Sequence, residues 1–329
     1  MKIKLVHNFE EIVSVENLLE AWGEFLKGKK QKTDVQQFKL NLMDNIFSLH
    51  IDLINHTYKH GGYQAFNICD PKPRNIHKAG VCDRLVHHSV YRILYPFFDR
   101  TFVDGSFSCR KNKGTHAAIE KFYQYFYQVS QNNTRTCYCL KMDIRKFFAN
   151  IDHEILLKIL KQHIDDQKII WLLENIIASF SSKEKGVGLP LGNLTSQLFV
   201  NIYMSEFDQF AKHWLKEKYY IRYADDFVIL SRNYQHLAKT VYPVQSYLKK
   251  IMKLEVHPDK ISIETFASGL DFLGYVNFPD HRILRTRTKR RMLKRINYRN
   301  LASYLGLLKH CNGCNIREAI SCSYEGREI

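Results

Sequence analysis

Residues 219–231 constrain this chain most. Asp225 and Asp226 stand side by side between Tyr220-Ile221 and the apolar run Phe227-Val228-Ile229-Leu230. Two short apolar stretches around a polar centre predict a β-hairpin. Aspartate is a favoured turn residue, so the dipeptide alone reads as an ordinary turn. Its apolar flanks argue for more, because adjacent carboxylates in a dry setting repel one another unless something binds them. A second predicted strand, residues 137–143, also ends on an acid, Asp143, after Cys139-Leu140-Lys141-Met142. Carboxylates at the ends of apolar strands suit Mg²⁺, a hard ion that takes carboxylate oxygens and keeps positions open for substrate phosphates. Two such ions roughly 3.5–4 Å apart can activate an attacking hydroxyl and stabilise a leaving pyrophosphate.

The surroundings fit a mixed α+β chain. Helical periodicity spans residues 9–28 and again 35–57. Residues 63–68 read as a strand, and Pro71-Lys72-Pro73-Arg74 as a basic turn before a second one. Residues 83–98, 115–129, 152–163, 167–180 and 237–252 read as helices, and 194–214 as one long amphipathic helix. Residues 261–266 read as a strand and 270–278 as strand-like. Strand, helix, hairpin, helix, strand is the order of a split-βαβ sheet.

Charge points to a polyanionic partner. Lys and Arg number 49 against 33 acids, a net charge of +16, and such a field concentrates phosphate. Residues 282–299 hold nine Lys or Arg and no acid, with Ile283, Leu284, Met292, Leu293 and Ile296 interleaved. The pattern predicts a helix with one face on a core and a basic face outward, suited to a nucleic-acid backbone. No apolar run approaches the about 18 residues that span a bilayer, and the first residues lack a secretory apolar core, so a cytoplasmic protein without membrane association is expected. Eight cysteines then read as free thiols. Cys311-x-x-Cys314 lacks the second closely spaced pair of a structural zinc site. No phosphate-binding GxxxxGK[ST], dinucleotide-binding GxGxxG, HExxH or GxSxG pattern occurs.

Tyr223-Ala224-Asp225-Asp226 resembles the YxDD box of reverse transcriptases. Asp143-Ile144-Arg145-Lys146-Phe147-Phe148 resembles that family's first catalytic-aspartate motif. Residues 188–197, Gly-Leu-Pro-Leu-Gly-Asn-Leu-Thr-Ser-Gln, resemble its template and nucleotide loop, and Phe272-Leu273-Gly274-Tyr275 its primer grip. Lys72-Pro73-Arg74 with Asp83-Arg84-Leu85-Val86, then Ser106-Phe107-Ser108-Cys109-Arg110, resemble the fingers of group II intron-like bacterial enzymes. The stretches follow the family's order from about residue 60 to 310.

The resemblance implies a right-hand polymerase with helical fingers, a split-βαβ palm and a short helical basic thumb. It implies an N-terminal helical extension over 1–60, fingers over 61–136, palm over 137–282 and thumb over 283–329, with the helices at about 152–186 assigned to palm or fingers. Asp143 and Asp225 are implied to ligate two Mg²⁺ ions, Asp226 to help position them, and the Ile144 main chain to touch the triphosphate. Lys72 and Arg74 are implied to grip the incoming triphosphate, and Phe148 to screen against a ribose 2′-OH. Lys260 is a candidate acid for the departing pyrophosphate. Arg285, Arg287, Lys289, Arg290, Arg291, Lys294 and Arg295 are candidates for the template–primer backbone.

The loop suggests a subtype. Most bacterial reverse transcriptases carry Gln where Leu191 stands and Pro where Gln197 stands. Leu191-Gly192 followed by Ser196-Gln197 resembles the enzymes of diversity-generating retroelements, which copy a template-repeat RNA into cDNA with errors at adenines. Those enzymes work with a small basic accessory protein that forms a ring, pentameric in the family. Leu191 cannot make the hydrogen bonds of a Gln, which implies looser base-pair selection. Gly192 implies a close backbone approach to nucleotide or template. The implied partners are template RNA, the RNA/cDNA duplex, dNTPs and that accessory protein. Two other readings stay open: an accurate retron- or intron-type reverse transcriptase, and a non-catalytic nucleic-acid-binding scaffold.

Overall fold

Capping residues cut the predicted N-terminal helices into shorter ones. A computed structural model describes residues 3–69, 73–314, 316–318 and 320; Lys72 and Cys322 lie outside them. Residues 9–28 form α1 (Phe9–Val13) and α2 (Val15–Phe25) instead of one helix. Ser14 separates them: its ψ of 148° leaves the helical region and its side chain accepts from the Asn17 N–H, a stronger local preference than continuing the helix. Residues 35–57 likewise divide at Asn41 into α3 (Thr33–Leu40) and α4 (Leu42–Ile54). α4 buries Ile46, Leu49 and Leu53 on one side and leaves Met43, Phe47, Ile51 and Ile54 exposed on another.

The chain divides into two compact units. One holds Met1–Asp104, Ile144–Phe210 and Ser246–Glu255; the other holds Gly105–Asp143, Ala211–Gln245 and Val256–Ile329. In the first unit β1 (Tyr63–Ile68) and β2 (Arg74–Ala79) pair antiparallel, and α5 (Val81–Asp99) packs on α2. α6 (Thr115–Ser130) and β3 (Tyr138–Asp143) belong to the second unit. The chain then returns to the first with α7 (His153–Lys161), α8 (Gln167–Ala178) and α9 (Leu194–Gln209). α9 is the helix predicted over 194–214. It is buried nearly all round, by Leu198, Phe199, Val200, Ile202, Tyr203 and Met204, so it is a central helix and not an amphipathic one. It ends at Gln209, where residues 210–214 loosen into a π turn.

The second unit carries the main sheet. β4 (Tyr220–Tyr223) and β5 (Asp226–Ser231) form the predicted hairpin, α10 (Tyr234–Lys250) follows, and β6 (Ser262–Thr265) completes an antiparallel sheet of order β4-β5-β3-β6. The first strand thus lies between the later ones, as the split-βαβ order predicts. Phe122 and Phe126 of α6 pack against Cys139, Val228, Leu230 and Phe266 on one face of this sheet.

Two later expectations change. Residues 270–278 are two strands, β7 (Leu270–Phe272) and β8 (Tyr275–Asn277), joined at Leu273-Gly274 with φ of +52° and +93°. The helix predicted over 282–299 begins as a strand, β9 (Arg282–Leu284), paired to β8. The reason is the partner: β8 offers a free edge, and Tyr275 and Leu284 are buried opposite each other. Only then do α11 (Thr286–Arg295) and α12 (Leu301–Leu308) follow. Met292 of α11 is buried with Leu284, Tyr275 and Leu308. Among the described residues no helix is long and apolar enough to cross a membrane.

Candidate active site

The hairpin brings its two acids to different places. β4 and β5 close on the pair Tyr223–Asp226, leaving Ala224-Asp225 as a two-residue loop. Ala224 has φ +55°, a left-handed conformation that costs an L-residue about 1–2 kcal/mol. Asp225 therefore sits at the tip, while Asp226 is the first residue of β5. In the β3–β5 register Asp143 stands directly opposite Asp226, and opposed residues of an antiparallel pair share a face. Their carboxyl groups come within hydrogen-bonding reach. Burial pushes the Asp226 carboxyl up to about 6; Lys141 pulls it back, while Asp143 and Asp225 raise it further.

Asp143 is held from β6's side of the sheet. His257 N–H donates to its carbonyl at 2.8 Å, and Lys260 Nζ donates to its Oδ1 at 2.7 Å. Both come from the short turn ahead of β6 that includes Pro258–Lys260. Lys260 is thus placed on one of the predicted ligands. Among the described residues no three His, Cys, Asp or Glu side chains converge as a closed metal cage. A Mg²⁺ site does not require one, since this ion uses one or two carboxylates and takes its other oxygens from water and phosphates. Two opposed carboxylates, one of them driven toward protonation by burial and by its acidic neighbours, are a donor set that a divalent cation relieves. The residues present fit such an ion.

The first unit holds the other predicted nucleotide contacts. His77 N–H donates to the Leu191 carbonyl at 3.0 Å, and Asn193 Nδ2 donates to the His77 carbonyl at 3.0 Å. These bonds lay the 191–193 loop along β2. Gly192 has φ +103°, and a Cβ there would lie 2.8 Å from Ile76 Cγ2, so the close approach requires glycine. Arg74 is exposed at the start of β2 and on the same face as Ile76. Leu191 and Phe148 are half-buried and Ile144 is buried. The Phe148 carbonyl accepts from Leu189 N–H at 2.8 Å, which ties the residues after Asp143 to the loop that leads to Leu191.

Residues 70–277 match the family model of reverse transcriptases, RNA-dependent DNA polymerases. The chain belongs to the reverse transcriptase family. It is 24% identical to the protein YkfC of Escherichia coli over 246 residues, 63% of this chain and 62% of YkfC. It is 27% identical to the group II intron-encoded protein LtrA of Lactococcus lactis over 134 residues, 39% of this chain and 21% of LtrA. The chain thus spans less than two thirds of either relative. Among solved structures it resembles the telomerase of Candida albicans, with a TM-score of 0.52 at 12% identity over 70% of this chain and 48% of that one. At that identity the likeness speaks for the polymerase fold alone.

In this chain the basic segment is divided in its exposure. Arg287, Lys289, Arg290, Lys294 and Arg295 are exposed on α11, while Arg291 is half-buried. Arg285 differs from the expectation of a free phosphate contact: its Nε donates to the Asp271 carboxylate. Lys141, whose charge acts on Asp226, and Arg222 with Ser106, which reach the Ala224 carbonyl at the hairpin tip, are absent from the predicted site residues. The signal for Arg222 was a lone cation in the run Tyr219-Tyr220-Ile221-Arg222-Tyr223, since an arginine in a buried strand needs a partner.

Proposed function

We propose that this chain is an RNA-directed DNA polymerase of the diversity-generating kind, copying a template-repeat RNA into cDNA with errors at adenines. The observation that carries the polymerase reading is the register that sets Asp143 opposite Asp226 with Asp225 at the adjoining tip. Asp143 and Asp225 would hold two Mg²⁺ ions, with Asp226 orienting them and the Ile144 main chain meeting the triphosphate. When bound, such ions activate the primer hydroxyl and neutralise the charge of the departing pyrophosphate. Arg74 and Lys72 supply cations for the triphosphate, and Phe148 an apolar ring for the sugar. Lys260 carries protons within reach of Asp143 and is the candidate donor to pyrophosphate. The exposed cations of α11 meet the template–primer backbone. On this reading 1–60 would be an N-terminal helical extension, 61–136 fingers, 137–282 palm and 283–329 thumb.

Leu191 and Gln197 support the error-prone subtype, and with it a small basic ring-forming accessory protein as partner. The likeness to LtrA favours a second reading, an accurate intron-type enzyme. Primer extension on a defined RNA with Mg²⁺ and four dNTPs, with product sequencing, separates them. Synthesis lost in Asp225→Asn, with adenine errors reduced in Leu191→Gln, supports the first. Accurate synthesis leaves the polymerase and removes the diversity-generating assignment. RNA binding without synthesis, even with accessory protein, favours a scaffold.

A further inference from the structure

Arg222 precedes Tyr223 in β4 and is completely buried, at 0% exposure. A buried guanidinium costs several kcal/mol unless its charge and N–H groups are met. What it binds therefore indicates what it is kept for. Its Nη1 donates to the Ala224 carbonyl at 3.1 Å, and its Nη2 donates to Ser106 Oγ at 3.0 Å. The Ala224 carbonyl belongs to the peptide that joins Ala224 to Asp225. The guanidinium thus fixes the plane from which Asp225 departs.

The other end of the bridge is anchored as well. Residues 105–107 run parallel beside β4: Arg222 N–H donates to the Gly105 carbonyl at 2.8 Å, and Phe107 N–H donates to the Arg222 carbonyl at 3.0 Å. A Cβ on Gly105 would lie 2.4 Å from the Tyr220 carbonyl oxygen, so this approach is open only to glycine. Arg110 Nη1 donates to the Ser106 carbonyl at 3.0 Å. The loop needs such a tie, because Ala224 is held at φ +55° in a turn position that favours glycine. Released, the loop relaxes to other geometries and Asp225 is aimed elsewhere.

We propose that Arg222 is a positioning residue for the carboxylate site, bridging the Ala224 carbonyl to Ser106 so that the strained turn presents Asp225 beside Asp143. The inference rests on the polymerase reading for its consequence in catalysis. Lysine brings the charge without the planar fork, so it does not replace the bridge.

The test compares the full chain with Arg222→Met, Arg222→Lys, Ser106→Ala and Asp225→Asn. Thermal unfolding reports the fold, electron paramagnetic resonance of Mn²⁺ reports cation binding without substrate, and single-nucleotide extension gives kcat and the dNTP KM. Arg222→Met keeps a similar length without the guanidinium, and thermal unfolding shows whether it folds. Its kcat falls about 100-fold with KM changed less than about twofold, the signature of a misaimed group. Its Mn²⁺ affinity falls about tenfold, the scale for a group that orients a ligand. Arg222→Lys moves the same way, and Ser106→Ala loses about fivefold in kcat, one hydrogen bond's worth. Wild-type kcat and Mn²⁺ affinity in a folded Arg222→Met overturn the proposal. Should Arg222→Met not fold, Ser106→Ala decides, and unchanged kcat and Mn²⁺ affinity there overturn it equally. Should the wild-type chain extend no primer, the polymerase reading fails, while the Mn²⁺ affinities still decide the role of Arg222.

Discussion

Lys260 Nζ lies 2.7 Å from Asp143 Oδ1, joining residues 117 apart in the chain. The contact occupies an oxygen of a carboxylate that the proposed function assigns to a cation. Under the proposed function it also keeps the Lys260 amine near the departing pyrophosphate.

Lys260→Ala is expected to act in two directions. Chemistry slows about 100-fold if the ammonium donates its proton to the leaving group. Mn²⁺ binding tightens, by up to about fivefold, because a half-exposed competing ion pair is worth at most about 1 kcal/mol. Rapid-quench extension and Mn²⁺ titration read the two effects separately. An unchanged chemical step removes the acid role and leaves only the ion pair.

Asp226 predicts a pH effect on the metal-free protein. Its carboxyl is raised from 3.8 to about 6 by burial and by Asp143 and Asp225. A raised carboxyl holds its proton more tightly when folded, so its stabilising contribution is present below about pH 4 and is lost as pH rises through about 6. At pH 7.5 Asp226→Asn is therefore expected to stabilise the metal-free chain by about 2 kcal/mol, with the gain shrinking below pH 5. Urea unfolding with chelator at both pH values checks it. A mutant less stable at pH 7.5 than at pH 5, relative to wild type, contradicts the assignment.

Gly192→Ala meets both a left-handed backbone and a contact of 2.8 Å with Ile76. The expected cost is about 1–3 kcal/mol, seen as a lower urea midpoint. Adding Ile76→Val relieves the contact but not the backbone, so only part of the loss returns. Full recovery in the double variant would show that the backbone conformation carries no cost.

Replacing Arg287, Lys289 and Arg290 by Ala tests the basic helix, since all three are exposed. The slope of log affinity against log salt for a primer–template is expected to fall by about 2–3, close to one per phosphate contact. The unfolding midpoint stays put because none of the three lies in the core. Arg285→Ala should behave differently, since Arg285 is paired to Asp271. A triple variant with an unaltered salt slope would place the nucleic acid on another surface.

Much of the site was readable in order along the chain. Apolar runs around Asp225-Asp226 and before Asp143 predict strands because strand formation follows local alternation and β-branched or aromatic content. The N-terminal helices were legible in extent but not in number. The break at Ser14 depends on a capping bond and that at Asn41 on backbone angles outside the helical region, neither of which periodicity reports. The start of the basic segment was misread for a different reason. Arg282–Leu284 becomes a strand because β8 lies ready to pair with it, and propensity yields to such tertiary partners.

By itself, the sequence determined that this chain carries acids at two strand ends, a basic helix after them and a glycine-containing loop between. Those are local properties, written in residue type and spacing. Only the tertiary structure decided that Asp143 faces Asp226, that Lys260 reaches Asp143, and that Arg222 bridges Ala224 to Ser106. Each of these is set by strand register and by chain segments far apart in sequence. A shift of one residue in register would turn every side chain of the strand to the other face. No local pattern records that choice; the packing of both faces of the sheet does.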